Sequence, residues 1–344
     1  MIGNSRFSAP SCLRTMNFIL TLAQQDPTGL SGSQDWTVAW IVGLLLFFLL
    51  VGFAYGTRAG IIARATTKEA IRQPLFFLLL AISAAVLVVN TFMPFFTLED
   101  DVKMLKECGL ATLLISGALL AVWTAGTSIT SEIEGKTAMT LLSKPINRRQ
   151  FVVGKYVGIV QGVIWLYLPL MILFAFLIYY KVGYDQREMS KAVSDWFQKR
   201  ELIGGLQLPL PNPERLAVVT QVLPGIILSF FQVCVLAAIS VAIATRVPMV
   251  VNLVVCFAVF VVGNLTPMMV AQGRTVIQSE YVIFIARLIA TVLPSLEAFN
   301  IYAAIATGHN VPPSYLGMGL VYGAAYVAAM ILVAFILFED RDLA

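Results

Sequence analysis

The sequence predicts an all-α fold, a polytopic bundle of transmembrane helices. Hydrophobic residues make up 59% of the 344 positions and charged residues only 12%, a composition unlike that of soluble domains. A helix needs about 20 apolar residues to cross the hydrocarbon layer of a membrane. We therefore expect about seven spans: 36–56, 74–96, 108–130, 156–180, 216–245, 248–270 and 315–338.

The N-terminal segment 1–35 is polar apart from one short apolar patch, and we expect it to lie outside the membrane. A basic front followed by that patch weakly resembles a signal peptide, and Met16 is an alternative start, so cleavage and the true first residue stay open. The run 36–56 has aromatic residues near both ends, as interfacial belts do. It is predicted to be an additional N-terminal transmembrane helix before a membrane domain over 57–344.

A short basic segment, 57–73, precedes the second span. Thr66 and Glu69 have the spacing of a capping box, in which a hydroxyl starts a helix and a carboxylate follows three residues later. This pattern predicts a short amphipathic helix along the inner membrane interface, which turns into the span at Pro74.

Basic residues in the short loops predict the orientation of the chain. Four Lys or Arg lie in 57–73 and five in 131–155, and cytoplasmic loops are enriched in these residues. We predict a multi-pass protein of the cell (inner) membrane with a cytoplasmic C-terminus and an N-terminus outside. The formal net charge of +4 gives no reason to expect a nucleic-acid partner.

The same orientation makes 181–215 an external loop. Asp185 to Glu201 is expected to form a surface helix, and the proline-rich end of the loop an extended connector. A solvated surface and a docking surface for an external partner both remain open.

The segment 281–306 is apolar but interrupted in its middle by Pro294 and Glu297. Two half-helices explain it better than one span, and we predict a re-entrant pair before the last span. Ser295 can cap the second half-helix, and Gly308 can close it.

The stretch 131–155 is a charged, amphipathic interruption of the apolar pattern. A capping box of Ser131 and Glu134 opens a short helix, which a proline ends, and a second box of Asn147 and Gln150 opens the next span. One face of the short helix is apolar and the opposite face is cationic. The apolar face consists of Ala138, Leu141, Leu142 and Pro145, and the opposite face of Lys136, Thr140 and Lys144.

This stretch resembles the cytoplasmic coupling loop of type-2 ATP-binding-cassette (ABC) exporter permeases, whose pattern is roughly E-x-E-x-G-T-x-x-x-L-L-x-x-P-[IV]-x-R-x-x-[FL]-x-x-G-K. The chain departs from it with Gly135-Lys136-Thr137 in place of Gly-Thr. The C-terminal F-E-D-R-D-L also resembles the family, including its permeases of the multi-copper enzyme maturation type. The matching positions are Glu132, Glu134, Leu141, Leu142, Pro145, Arg148, Gly154 and Lys155.

The resemblance implies the membrane-spanning permease subunit of an ATP-driven transporter, an exporter. In that family the coupling helix docks on a separate ABC ATPase subunit, which holds ATP and magnesium, and two permeases pair as a homo- or heterodimer. No cofactor is then expected in this chain. The residues expected to couple it to the ATPase are Glu132, Glu134, Gly135, Lys136, Leu141, Leu142, Lys144, Pro145, Arg148 and Arg149.

We expect no enzyme activity in the chain itself. Gly135-Lys136-Thr137 does not complete a phosphate-binding G-x-x-x-x-G-K-[ST] loop, because Thr130 stands where the first glycine should and no strand precedes it. The sequence shows no catalytic triad, carboxylate pair or metal cluster, and His309 is its single histidine.

Uncharged polar residues inside the predicted spans are candidates for a substrate pathway: Asn90, Gln161, Gln232 and Asn264. Hydrogen bonding between neighbouring helices is the alternative role. The spans hold almost no ionisable residues, which a proton-coupled carrier would need. A stand-alone channel or secondary carrier, and a membrane scaffold for maturation of an extracytoplasmic enzyme, remain the alternatives to an ABC permease.

Overall fold

The computed structural model describes residues 52, 56–92, 101–134, 147–188, 196–202, 206–276, 293–308 and 311–339. Most of these residues are helical, and the helices surround one large apolar core and a smaller one. The predicted helical bundle of a membrane-embedded protein is therefore confirmed.

The helices and strands follow one another in a simple order. The first are α1, Arg58–Arg72; α2, Pro74–Phe92; and α3, Asp101–Ala125, which continues through a π-helical turn, Gly126–Thr130, into α4, Ser131–Glu134. Next come α5, Arg148–Glu188, and the strands β1, Phe197–Leu202, and β2, Leu206–Pro211. The last are α6, Pro213–Thr220; α7, Leu223–Ala244; α8, Met249–Val276; a 3-10 turn, Leu296–Phe299; α9, Tyr302–Ala306; and α10, Pro313–Glu339.

Five helical stretches are long and apolar enough to cross a membrane, and they fall on five predicted spans. They are Pro74–Phe92, Asp101–Thr130, Arg148–Arg187, Pro213–Ala244 and Pro313–Glu339. Helix α8, Met249–Val276, covers the predicted span 248–270, and its crossing of the membrane stays a prediction. The run 36–56 lies almost wholly outside the described residues.

Burial separates central helices from peripheral ones. In the most apolar window of each stretch, 72% of Pro213–Ala244 is buried, against 28% of Pro74–Phe92 and 11% of Pro313–Glu339. Helix α7 packs against α3, α5, α8 and α10, and so forms the centre of the bundle. The outward apolar faces of α2 and α10 form the surface that a bilayer would cover.

Helix α1 begins earlier than the sequence predicted. Its N-cap is Thr57, whose Oγ1 accepts a hydrogen bond from the Gly60 N–H at 3.1 Å. Thr66 is buried in the middle of the helix, so the capping box of Thr66 with Glu69 is wrong. Helix α1 packs one face against α5, and such packing outweighs a local start signal.

The prediction of a surface helix up to Glu201 is also wrong. Helix α5 continues through Asp185 to Glu188, and β1 then pairs antiparallel with β2, from Phe197 opposite Pro211 to Leu202 opposite Leu206. This hairpin is the exception to the predicted all-α fold among the described residues. The predicted extended conformation of the proline-rich end is confirmed, because this end forms β2. Its two prolines stand at alternate positions, so both can face the unpaired edge of the hairpin, where no N–H donor is needed.

The described part of the predicted re-entrant segment is 293–308. Gly308 has φ +78°, and its N–H donates to Ile305 O at 3.1 Å, so it closes α9 as predicted. Ser295 precedes the 3-10 turn without a side-chain capping bond, so its predicted capping role is wrong. Residues 281–292 lie outside the described residues, and the re-entrant course stays a prediction.

Candidate functional site

Helix α5, with 41 residues, provides both ends of the candidate site. At 1.5 Å per residue it is about 60 Å long, roughly twice the thickness of a hydrocarbon layer. Lys155 and Lys181 are buried near its two ends, about 39 Å apart along the axis. This spacing allows both lysines to lie near the edges of the hydrocarbon, where charged partners can be accommodated.

Lys155 joins three helices. Its Nζ lies 2.6 Å from Glu132 Oε1 on α4 and 3.9 Å from Glu69 Oε2 on α1. The ammonium also lies 5.7 Å from the centroid of the Phe151 ring. The lysine is only 2% exposed, whereas the side chains of Glu132 and Glu69 are 25% and 43% exposed, so the ammonium is buried and its carboxylate partners lie towards the surface.

The π-helical turn Gly126–Thr130 directly precedes α4 and sets the direction of Glu132. Thr127 is held on both sides: its Oγ1 accepts from Gln73 Nε2 at 3.1 Å, and its carbonyl oxygen accepts from the Ser131 hydroxyl. Such turns add a residue to an α-helix and are frequent at functional sites. Without the added residue, Glu132 would be rotated by about 100° around the axis, away from its partner.

Glycines at every fourth position of α5 allow α1 to approach closely. They are Gly154, Gly158 and Gly162. A Cβ at Gly154 would lie 2.7 Å from Ala59 O, and one at Gly158 would lie 2.6 Å from Ala63 O. The Thr67 hydroxyl lies 3.0 Å from Gly158 O and adds a polar contact across the interface. This is the small-residue packing of closely crossing membrane helices.

The first turn of α5 is tied to the end of α10. Arg148 Nη1 donates to the backbone oxygens of Glu339 at 3.0 Å and Phe338 at 3.4 Å. A cation is favourable there, because the last carbonyls of a helix are free and carry partial negative charge. The ring of Phe151 stacks on that of Phe338 with centroids 5.6 Å apart.

A cleft lies beside the N-cap of α5. The Asn147 N–H donates to Gln150 Oε1 at 3.3 Å, which confirms the Gln150 half of the predicted capping box. The cleft has a volume of about 280 Å³. Its walls are Asn147, Arg148, Arg149, Phe335, Phe338 and Glu339.

The structure describes four of the predicted ATPase-coupling residues: Glu132, Glu134, Arg148 and Arg149. Glu132 contacts Lys155 inside the bundle, Arg148 contacts the end of α10, and Arg149 is exposed beside the cleft. Their role in coupling stays a prediction. The others lie outside the described residues: Gly135, Lys136, Leu141, Leu142, Lys144 and Pro145.

The structure brings together two of the predicted pathway residues. Gln232 Nε2 donates to Asn264 Oδ1 at 3.3 Å and so links α7 to α8. Gln161 lies at the contact of α1 with α5, where its Oε1 is 3.0 Å from Thr67 Oγ1. Asn90 is half-buried on α2. Three of the four residues thus have helix-to-helix hydrogen bonds, and their pathway role stays a prediction.

A second ion cluster surrounds Lys181. Its Nζ lies 2.9 Å from Asp101 Oδ2 at the start of α3 and 3.8 Å from Asp185 Oδ1 one turn along α5. The ammonium also lies 4.9 Å from the centroid of the Tyr184 ring.

Arg215 anchors the hairpin at this end of α5. Its guanidinium carbon lies 5.4 Å from the Tyr179 ring centroid and 5.3 Å from that of Trp196, and the residue is only 1% exposed. The Tyr179 hydroxyl donates to Trp196 O and accepts from the Asn212 N–H at 3.1 Å. A Cβ at Gly183 would lie within 2.6 Å of the Arg215 guanidinium, so any larger residue there would force the guanidinium to shift.

Sequence reasoning missed several of these residues. The Gly-x-x-x-Gly spacing on α5 is visible in the sequence, but only Gly154 was singled out, as one position of the family pattern. No local signal marks the π-helical turn, or the pairing of Lys155 with Glu69, because the partners come from distant segments. Within the described part of the chain, no three His, Cys, Asp or Glu side chains are grouped so that they could hold a metal ion.

Comparison of the sequence with protein-family models found no match, and comparison with curated proteins found none either.

Proposed function

We propose that this chain is the membrane-spanning permease subunit of an ATP-driven ABC transporter, an exporter that works with separate ATPase subunits and a second permease. The observation that supports this most is the 2.6 Å ion pair of Glu132 with Lys155. These two residues stand on either side of the predicted docking helix, 134–145, along the chain. The pair therefore joins the two helices that flank that segment in the sequence.

The ion pair suggests how motion would be transmitted. A force on the predicted docking helix 134–145 would reach α4 through Glu132 and α5 through Lys155, and the contact of Lys155 with Glu69 would extend it to α1. The close glycine contacts between α1 and α5 favour movement of these helices as one body. The Lys155 end is placed on the cytoplasmic side by this proposal.

ATP and magnesium belong to the ATPase partner in this proposal, and the chain supplies the docking surface. Leu141 and Leu142 provide apolar contacts, and Lys136, Lys144 and Arg149 provide positive charge. The Arg148 guanidinium already donates to the end of α10, so changing it would also disturb that contact. Arg149 is exposed and is therefore the better residue to test. The Gln232–Asn264 pair is the candidate substrate contact that lies between two bundle helices.

Affinity purification of the tagged full-length chain from its native membrane tests the partnership. We expect an ATPase with a phosphate-binding loop to co-purify, and Leu141→Asp or Arg149→Glu to reduce its recovery at least about tenfold, as loss of interface anchors does. Arg187→Glu, an exposed arginine at the other end of α5, is the matched control and should leave recovery unchanged. Absence of any ATPase, or equal recovery with all variants, would contradict the proposal and favour a stand-alone carrier.

The transmission step needs a separate measurement. In reconstituted vesicles that contain the co-purified ATPase, Lys155→Met should keep the complex but lose most stimulation of ATP hydrolysis by the permease. Lys181→Met removes the same group from the opposite end and should retain that stimulation. Equal loss in both variants would mean that the Lys155 cluster has no special role in coupling.

A further inference from the structure

Three lysines of the described bundle are buried, and they differ in their partners. Lys155 and Lys181 each lie within 4.0 Å of two carboxylates. Lys106 on α3 is 4% exposed, and its Nζ donates to the neutral Oε1 of Gln221 at 3.1 Å. Among the described residues, no carboxylate forms an ion pair with Lys106.

This arrangement leaves the Lys106 ammonium incompletely satisfied. An ammonium has three donors, and the structure assigns an acceptor to one of them. A buried charge is normally paired, because removing it from water is costly and an amide oxygen carries no compensating charge. Lysines near helix ends usually extend their ammonium into water, but the low exposure of Lys106 shows that it does not.

Lys106 lies near one end of α3, and its partner is less buried than it is. It is about one and a half turns from Asp101, the first residue of α3. Gln221 is at the turn between α6 and α7 and is half-buried, so the ammonium is buried next to a residue that solvent reaches in part. The Gln221 oxygen faces the ammonium, which leaves its Nε2 group as a second donor beside the charge.

We propose that Lys106 and Gln221 form a binding site for an anionic oxygen ligand, a carboxylate or a phosphate group. The ammonium supplies the balancing charge, and the amide Nε2 donates a hydrogen bond to the same ligand. Such a group could belong to a soluble anion or to an anionic lipid headgroup. The proposal does not depend on the transport function, since it follows from the pairing of Lys106 alone.

Thermal unfolding of the purified full-length protein in a neutral detergent tests the site. Sodium phosphate and sodium acetate are compared with sodium chloride at equal ionic strength, and micelles with phosphatidylglycerol are compared with phosphatidylcholine. With ligand at roughly ten times its Kd, the Tm of the wild-type protein should rise by about 3 °C. A shift with phosphate or acetate identifies a soluble anion, and a shift with phosphatidylglycerol alone identifies a lipid headgroup.

Two substitutions make the test specific. Lys106→Met should remove the Tm shift and, without ligand, should leave the protein at least as stable as the wild type, because it removes an unpaired charge. Gln221→Glu places a carboxylate beside the ammonium, so it should raise the Tm without ligand and also remove the shift. Lys68→Met, an exposed lysine on α1, controls for non-specific charge effects and should keep the shift. No shift in the wild-type protein, or an equal shift in Lys106→Met, would overturn the proposal.

Discussion

The two ends of α5 use the same chemistry to connect different elements. At one end Lys155 is held by Glu132 of α4 and Glu69 of α1, so the cluster joins three helices. At the other end Lys181 is held by Asp101 of α3 and by Asp185 of its own helix. The second cluster joins only two helices, and one of its contacts is a local pair one turn apart.

The surroundings of the two clusters differ as well. Near Lys155, α1 and α5 meet through glycines, and Glu132 follows the π-helical turn. Near Lys181, Arg215 lies beside the rings of Tyr179 and Trp196, where the hairpin begins. The comparison indicates that a buried lysine can join several helices, as Lys155 does, or can join one helix to a partner and to its own next turn, as Lys181 does. Which role it takes depends on the elements that carry its partners.

The largest expected effect is that of Lys155→Met on the Lys155 end. It removes the Lys155 ammonium from Glu132 and Glu69, and we expect the free energy of unfolding to fall by about 3 kcal/mol. This is the lower part of the range for a broken buried pair, because the Glu132 side chain is 25% exposed. Thermal or denaturant unfolding in detergent measures it. The double variant Lys155→Met/Glu132→Gln should recover part of the loss, and equal instability of the single and double variants would argue against the pair.

A smaller effect is expected from the helix contact beside Lys155. A Cβ at Gly158 would lie 2.6 Å from Ala63 O. Gly158→Ala should therefore lower the free energy of unfolding by about 1–3 kcal/mol, the usual effect of overpacking. Gly317→Ala is the matched control, since nothing lies within 4 Å of that position, and it should stabilise α10 by up to about 1 kcal/mol. The same unfolding assay compares them, and a neutral Gly158→Ala would show that the contact is not tight.

The Lys181 end should respond to Arg215→Met. This change keeps the apolar stem and removes the charge beside the rings of Tyr179 and Trp196, which should lower the free energy of unfolding by about 1–2 kcal/mol. Limited proteolysis within the hairpin, Phe197–Pro211, reports the local change. The control is Arg187→Met, an exposed arginine nearby, and similar proteolysis of both variants would contradict the anchoring role of Arg215.

The smallest expected effect concerns the start of α5. Gln150→Ala removes the acceptor of the Asn147 N–H and should lower the free energy of unfolding by about 0.5–1 kcal/mol. Gln150→Glu keeps an acceptor at that position and should restore the stability. The unfolding assay resolves the difference when both variants are measured against the wild-type protein, and an unchanged Gln150→Ala would show that water replaces the cap.

Some features could be predicted from sequence because their cause is local. The apolar runs predicted the five long helices, and the capping pattern at Asn147 and Gln150 predicted the start of α5. The capping box at Thr66 and Glu69 had an equally good pattern and was wrong, because α1 already begins at Arg58 and is stabilised there by packing against α5. Local signals hold where no tertiary contact competes with them.

The candidate site was predicted less completely than the fold. Glu132, Gly154 and Lys155 were recognised as positions of one pattern, but the sequence does not show that Glu132 and Lys155 form an ion pair or that Gly154 contacts Ala59. The hairpin was missed because its strands are short, β1 carries three charged residues in a row, and β2 contains prolines, which disfavour a strand.

The sequence by itself determined that this is a helical membrane protein. A chain in lipid must turn apolar side chains towards the lipid and form its backbone hydrogen bonds within each helix. It also determined where a charged stretch interrupts the membrane pattern, at 131–155. Only the tertiary structure decided that Lys155 and Lys181 have carboxylate partners and that Lys106 has an amide. Partners separated by many residues meet only when the helices pack. That packing decides whether a buried charge has an opposite charge beside it.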